Sequence, residues 1–449
     1  MSLAVIILAA GKGTRMNSHL PKVLHQITGD PMILFSLKIA EDLRANKVVT
    51  VIRKNAHNVE SAVNTYSNRV KCVEQQEQKG TGHAVNCAEK YLNEFTGNVL
   101  ILYGDAPFIT PEIIKSMLET KTRKEQIVVL GFETSQPNNY GRIQLDNSGN
   151  VSKIIEVKDA TTEELKITFC NSGIIVADKT VLFSLINQLS NNNLAKEYYL
   201  TDIIEIANNQ GYNVIAAKCE KEFASGVNTQ EELAEAENYL QKKLRSAAMI
   251  NGVKLVAPET VFFSSDTKIS AGTVVQPYVV FGKNVKITGP TVIKSFSHLE
   301  GCTIAEGASI GPFTRIRPGT KIGEAAKIGN FVEVKESSLA QGVKAGHLTY
   351  IGNARIDENV NIGAGTVFCN YDGVSKHHTE IHSKAFIGSN TSLIAPVKVG
   401  KGALVAASSV ITKDVPNASL AISRSTQINK KGFAKIVMDK LRKLQKRIL

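Results

Sequence analysis

The chain has 449 residues, 43% of them hydrophobic, and its 53 Lys+Arg against 41 Asp+Glu give a formal net charge of +12. That length is ample for two or three domains, and no apolar run is long enough to span a bilayer; Met1-Ser2-Leu3-Ala4 reads as the start of a strand, so the expectation is a cytoplasmic protein without stable membrane insertion. The six cysteines (Cys72, Cys87, Cys170, Cys219, Cys302, Cys369) are scattered without a CxxC pair, which argues against a disulfide framework or a thiolate metal site.

The first half alternates strand and helix signals. Residues 3–10 form a continuous apolar run, 32–45 read as a helix, 48–52 as a strand, 58–66 as a helix and Asn98–Tyr103 as another buried strand. The pattern predicts a Rossmann-like α/β domain with a mostly parallel sheet, whose ligands bind beyond the carboxyl ends of the strands. Two loops fall at such ends: Gly11-Lys12-Gly13-Thr14-Arg15 and Gly104-Asp105. Position 16 is Met16, so the dinucleotide fingerprint fails, and Lys12 does not close a Walker frame. What remains is a glycine-rich turn with exposed N–H groups, followed by Arg15 and Lys22, a suitable cradle for a triphosphate.

The run from Leu8-Ala9-Ala10-Gly11 to Arg15-Met16, followed by Pro21-Lys22-Val23-Leu24, resembles the sugar-1-phosphate nucleotidylyltransferases. The resemblance implies a base-reading loop at Gln75, Gln78, Gly80 and Thr81, whose amides suit the edge of a uracil. It implies a metal and sugar loop at Tyr103-Gly104-Asp105, and sugar contacts from Gly141, Glu156, Asn171 and Asn228. Asp105 and Asn228 would hold Mg²⁺, and Arg15 and Lys22 would act in catalysis. A sugar phosphate is already an anion, so it needs alignment and charge neutralisation rather than a catalytic histidine.

Residues 229–244 are charged and alanine-rich, with Leu233, Ala236, Leu240 and Leu244 along one side, as expected of a joining helix opened by the capping box Thr229-x-x-Glu232. Beyond it, Ile304, Ile310, Ile316, Ile322, Ile328 and Val334 recur every six residues, and so do Ile381, Ile387, Leu393, Val399, Val405 and Ile411. A period of six is neither helical nor that of a plain strand; it predicts an all-β left-handed parallel β-helix of hexapeptide repeats. The charge is placed unevenly as well. To Asn228 the chain carries 24 basic and 24 acidic residues, and the remaining 29 and 17 supply the whole excess. With no nucleic-acid motif and few aromatics there, small phosphorylated ligands are the expected partners.

The two ladders leave a gap between Val334 and Ile381, where an interrupted repeat is expected to carry chemistry. Glu333 stands at its edge, and the gap holds Lys335, Gly346-His347-Leu348-Thr349-Tyr350, Asn361 and Ala364, and an inserted loop after Cys369-Asn370-Tyr371-Asp372-Gly373. A histidine beside a glycine on a turn suits removing a proton from an attacking amine. Arg315-Ile316-Arg317-Pro318-Gly319, Asn330-Phe331-Val332-Glu333-Val334-Lys335 and Asn361-Ile362-Gly363-Ala364-Gly365-Thr366 complete the pattern. It resembles the bacterial family of bifunctional enzymes that join N-acetylglucosamine-1-phosphate uridylyltransferase to glucosamine-1-phosphate N-acetyltransferase.

That resemblance implies three segments: a nucleotidyltransferase domain at 1–228, a linker helix at 229–248 and an acetyltransferase β-helix with a basic tail at 249–449. It implies a homotrimer that uses UTP, N-acetylglucosamine-1-phosphate, glucosamine-1-phosphate and acetyl-CoA. His347 would be the base, with Glu333 assisting; Arg317, Lys335, Tyr350 and Asn361 would bind the amino-sugar phosphate. Ala364, Asn370, Tyr371, Ser389, Ala407 and Arg424 would bind acetyl-CoA. A thioester is already activated, so Cys369 is not the expected nucleophile. Two other readings are a monofunctional nucleotidylyltransferase with a regulatory β-helix and a non-catalytic assembly subunit. His347 with Lys335 argues against the first, and Arg15, Lys22 and Asp105 against the second. His378 and His382 have zinc-like spacing but no helix to align them, and read as surface residues. In the tail, Phe433, Val437, Leu441, Leu444 and Ile448 keep helical spacing among Lys435, Lys440, Arg442, Lys443, Lys446 and Arg447. Packing on the protein itself is the favoured expectation there, with a membrane surface second.

Overall fold

Leu3–Ala9 is a strand with every residue buried, as a near-continuous aliphatic run is when both faces of a parallel sheet are covered. The fold is a computed structural model that describes residues 2–124, 126–137 and 140–445. The sheet around this strand runs Asn213–Cys219, Gln126–Glu133, Phe169–Asp178, Asn98–Tyr103, Leu3–Ala9, Lys47–Arg53 and Lys71–Gln75. All neighbours on this path are parallel except at Phe169–Asp178, which runs antiparallel to both of its partners. The helix expected over 32–45 is Ile33–Asp42; Arg44, in the left-handed region at φ 51°, stops it.

The chain divides into two compact units, Met1–Lys243 and Leu244–Leu449, and the division falls inside the helix Gln230–Ile250. The capping box forms: Thr229 Oγ1 accepts from Glu232 N–H at 3.1 Å, and Glu232 Oε2 accepts from Thr229 N–H at 3.2 Å. Leu233, Ala236 and Leu240 pack against Ile27, Met32 and Val227. Leu244 and Ala248 belong instead to the core of the second unit.

That second unit is a left-handed parallel β-helix. Its strands stack into three parallel sheets of ten, eight and eight strands among the described residues. Ile304 pairs with Ile322 in one sheet, Ile310 with Ile328 in another and Ile316 with Val334 in the third. The six-residue period thus sends successive aliphatics to successive faces, and every third one stacks in a column. Each is essentially fully buried, a contribution of roughly 1.5–3 kcal/mol apiece.

The expected break between Val334 and Ile381 is corrected by the structure. Leu339, Ala345, Ile351, Ile356, Ile362 and Phe368 continue the column without exception, all buried. Two of these turns are one residue short, and one insertion separates Phe368 from Ile381. A single-residue shortening shifts the phase of a fixed-period count, and the small Ala345 disguises a core position.

The tail expectation is corrected too. Phe433–Gln445 is a helix, but none of its residues is buried. Lys446, Arg447 and Ile448 lie outside the described residues.

Two candidate active sites

Parallel pairing of Leu3–Ala9 with Asn98–Tyr103 brings their carboxyl ends together, and Gly104 N–H donates to Leu8 O at 3.0 Å. These ends open on a cavity of about 430 Å³. Of the expected residues, Leu8, Ala9, Ala10, Gly11, Lys22, Gln75, Gln78, Gly80, Thr81, Tyr103 and Asp105 line it, and so do Lys12, Gly13, Val23, Ala84 and Glu197. Glu197 comes from a distant segment and carried no local signal. Gln78 Nε2 donates to Ala10 O at 2.5 Å, clasping the glycine-rich turn. Gln75 is buried; its amide nitrogen donates to Gly80 O at 3.1 Å and lies 3.0 Å from His83 Nδ1, so it also braces its own loop. Gly80 has φ 105°, and a Cβ there would stand 2.5 Å from Tyr198 O, so no other residue fits without moving the backbone.

Beside this cavity four expected residues converge. Lys22 Nζ forms an ion pair with Asp105 and donates to Asn228 Oδ1 at 2.7 Å, while Arg15 Nη2 donates to the same oxygen at 2.8 Å. Val227 N–H donates to Asp105 O at 2.9 Å, which holds the two loops in register. Two oxygen donors thus meet at one cationic centre, a donor set that fits a hard divalent cation.

Gly141, Glu156 and Asn171 do not line the cavity but form a second group beside Tyr103. Asn171 N–H donates to Gly141 O at 2.8 Å, and Asn171 Oδ1 accepts from Gly173 N–H at 2.9 Å, where the Tyr103 ring packs. Glu156 accepts from Thr201 Oγ1 at 3.0 Å, and burial holds its carboxyl above the usual range. Burial, with Glu156, Glu205 and Asp159 nearby, also pushes Asp202 up to about 6. A carboxyl raised in the fold contributes stability below its unfolded value of 3.8 that is lost as pH rises through about 6. Asp202→Asn is therefore expected to raise the melting temperature at pH 7.5. The gain, discounted for partial exposure, is about 1 kcal/mol or roughly 3 °C. Thermal unfolding should show a smaller gain at pH 5, and no gain at pH 7.5 would contradict the cause.

In the β-helix, the register Lys327, Lys344, Asn361, Phe386, Leu404 aligns five coils. Three residues past each stand Asn330, His347, Ala364, Ser389 and Ala407, so these occupy one corner in succession. Arg424 Nη1 extends the column by donating to Ala407 O at 3.1 Å. His347 is exposed, and its Nδ1 lies 2.5 Å from Asn330 Oδ1. A carbonyl oxygen only accepts, so Nδ1 carries the proton and Nε2 the lone pair. Gly329 cannot take a side chain, because its Cβ would collide with Gly346 O.

The next position along the corner is left-handed in eight successive coils: Tyr278, Phe296, Phe313, Phe331 and Leu348, then Gly365, Asn390 and Ser408. The first four rings stack with centroids 5.0, 4.8 and 5.4 Å apart. Bulky residues therefore precede and adjoin His347, and the smaller Gly365, Asn390 and Ser408 follow beside Ala364, Ser389 and Ala407.

Past the corner, Arg317 Nη1 meets Glu333 Oε1 at 2.7 Å, and Glu333 pairs in register with Tyr350. Lys335 and Lys376 both approach Glu336, at 3.5 and 4.0 Å, and the neighbouring Lys335 chiefly lowers the Lys376 ammonium. Asn353 Nδ2 donates to Glu336 Oε2 at 2.7 Å, and Asn370 Nδ2 to Asn353 Oδ1 at 2.7 Å, so the inserted loop is tied to this cationic group. Tyr371 folds back within that loop, donating to Gly373 O at 2.5 Å. Asn361 lies on the neighbouring face, and among the described residues no bond joins it to Arg317 or Lys335. Lys376 carried no sign in the sequence and Asn330 stood in a motif without a role, because the phase shift hid which positions share a coil. Burial raises the Cys369 thiol, in keeping with its exclusion as a nucleophile.

Fold and sites together define a nucleotidyltransferase unit joined to a hexapeptide-repeat transferase unit. Residues 5–150 match the MobA-like NTP transferase domain, and 301–336 match six repeats of the bacterial transferase hexapeptide. "Bifunctional protein GlmU" of Jannaschia sp. (strain CCS1) is 46% identical over 99% of this chain and 97% of its own length. The protein of the same name from Cereibacter sphaeroides (strain ATCC 17025) is 48% identical over 98% and 97%. A solved UDP-glucose pyrophosphorylase with UDP-glucose is similar to 54% of this chain and 100% of its own, at 19% identity and a TM-score of 0.46. The chain belongs to the GlmU family of bifunctional proteins.

Proposed function

We infer that this family member is a bifunctional enzyme of UDP-N-acetylglucosamine synthesis. It acetylates glucosamine-1-phosphate with acetyl-CoA, then transfers UMP from UTP to N-acetylglucosamine-1-phosphate with release of pyrophosphate. The observation that carries this is the near-full-length identity to bifunctional relatives, which spans both units. A monofunctional enzyme with a regulatory β-helix is not favoured.

In the first site, Arg15 and Lys22 hold the triphosphate while the sugar phosphate oxygen attacks the α-phosphorus and the bond to pyrophosphate breaks. Gln75, Gln78, Gly80 and Thr81 frame the base, and Gly141, Glu156, Asn171 and Tyr103 the sugar. Asp105 and Asn228 are the residues to hold Mg²⁺, which when bound neutralises charge developing on the phosphates.

In the second site, His347 Nε2 takes a proton from the amine, whose lone pair attacks the thioester carbon. An amide forms and the CoA thiolate leaves, taking up a proton. Arg317, Lys335 and Tyr350 bind the sugar phosphate, with Glu333 fixing Arg317; Lys376 adds a third cation. Asn361 serves from the neighbouring face. The small-residue track along Ala364, Ser389 and Ala407, with Asn370, Tyr371 and Arg424 around it, suits the long thin arm of acetyl-CoA.

The enzyme works in the cytoplasm as a homotrimer. The stacked, half-exposed Tyr278, Phe296, Phe313 and Phe331 support self-association, because an apolar stripe of that length favours burial. Phe313→Glu is expected to yield monomers by sedimentation and to lower acetyl transfer at least tenfold while sparing uridylyl transfer. A trimer with full acetylation would sink the assignment of this stripe. The overall reading is tested by supplying glucosamine-1-phosphate, acetyl-CoA, UTP and Mg²⁺ and following thiol and pyrophosphate. Both must appear, and pyrophosphate must depend on prior acetylation.

A further inference from the structure

Phe433–Gln445 buries none of its residues; Phe433, Val437, Met438, Leu441 and Leu444 are 41% to 53% exposed. At helical pitch these five fall within an arc of about 140°. Lys435, Arg442 and Lys443 occupy the opposite side, Lys440 borders the arc, and Ile436 stands apart between Lys440 and Lys443. Lys430 and Lys431 lie just ahead of the helix, separated from it by Gly432. Its one acidic residue, Asp439, is already engaged 3.9 Å from Arg442.

Three occupants are conceivable for the apolar arc, and charge separates them. Among the described residues, the helix has none that the rest of its own chain buries. A bundle of identical helices needs a seam of 3.5-residue period, and the one through Ala434, Val437, Leu441 and Leu444 leaves Phe433 and Met438 on its flanks. Copies would also set cations against cations with a single acidic residue each to offset them. An anionic lipid surface answers both halves of the helix at once: hydrocarbon for the arc, phosphates for the lysines.

We propose that this helix binds the surface of an anionic bilayer, its apolar arc at the boundary of headgroups and acyl chains and its cations among the phosphates. One such helix gives reversible attachment rather than insertion, and none of the described helices is long and apolar enough to cross a membrane.

The test uses the full chain and co-sedimentation with vesicles of phosphatidylcholine alone or mixed with phosphatidylglycerol. Binding to the anionic vesicles should be at least tenfold tighter and should weaken in high salt. Val437→Glu with Leu441→Glu should abolish it, and Lys435→Gln with Lys443→Gln should weaken it on the order of tenfold. Both transferase activities should be unchanged in each variant. Three results overturn the proposal: no sedimentation with anionic vesicles, undiminished binding by the double glutamate variant, or a fall in oligomeric mass in that variant, which would make a second copy the occupant.

Discussion

His347→Ala is expected to lower acetyl transfer by about 10³-fold, the span a positioned general base supplies, and to leave uridylyl transfer untouched. The reason lies in how the corner holds the ring. Asn330 Oδ1, one coil earlier, accepts a hydrogen bond from Nδ1–H at 2.5 Å, which fixes the tautomer and leaves Nε2 with its lone pair. No other histidine shares that column of Asn330, Ala364, Ser389 and Ala407. The measurement is release of CoA thiol from acetyl-CoA with glucosamine-1-phosphate, read beside pyrophosphate release from UTP with N-acetylglucosamine-1-phosphate. Asn330→Ala should fall between, because the ring then loses the partner that fixes its tautomer and orientation. Retained acetylation in His347→Ala would remove the base assignment.

Arg15→Ala and Asp105→Ala carry the second large effect: each should cost uridylyl transfer at least about 10²-fold, with acetylation at the wild-type rate. Asp105, Asn228, Lys22 and Arg15 form one connected cluster, in which the carboxylate pairs with Lys22 and Asn228 Oδ1 accepts from both cations. Removing Arg15 subtracts positive charge where the proposed reaction needs the triphosphate held, and removing Asp105 subtracts a hard oxygen donor. The two variants therefore separate on titration with Mg²⁺. Asp105→Ala should demand far more metal for residual turnover, and Arg15→Ala should not. Near-normal pyrophosphate release by either one contradicts the cluster's role. Parallel loss of both activities would point to unfolding instead, which the melting temperature would report.

Much of this was legible before any coordinates. The aliphatic run at the start, the glycine-rich turn after it and the hexad ladders are local patterns, in which the period itself dictates the neighbour. A residue that recurs every six must stack, so Ile304 to Val334 announced three faces on their own. The capping box at Thr229 and Glu232 was likewise readable, because its partners lie within one turn.

What sequence could not supply was phase and long-range company. Two shortened turns after Val334 hid an unbroken ladder, and with it the fact that Asn330 and His347 occupy one corner. Glu197 reaches the first cavity only because Tyr198 is pinned against the Gly80 turn. The exposed tail helix shows the same limit from the other side. Amphipathic spacing establishes that a face seeks cover, but only the assembled chain decides whether cover is found. Local periodicity is set by bond geometry, whereas neighbours far apart in sequence are chosen by packing of the whole.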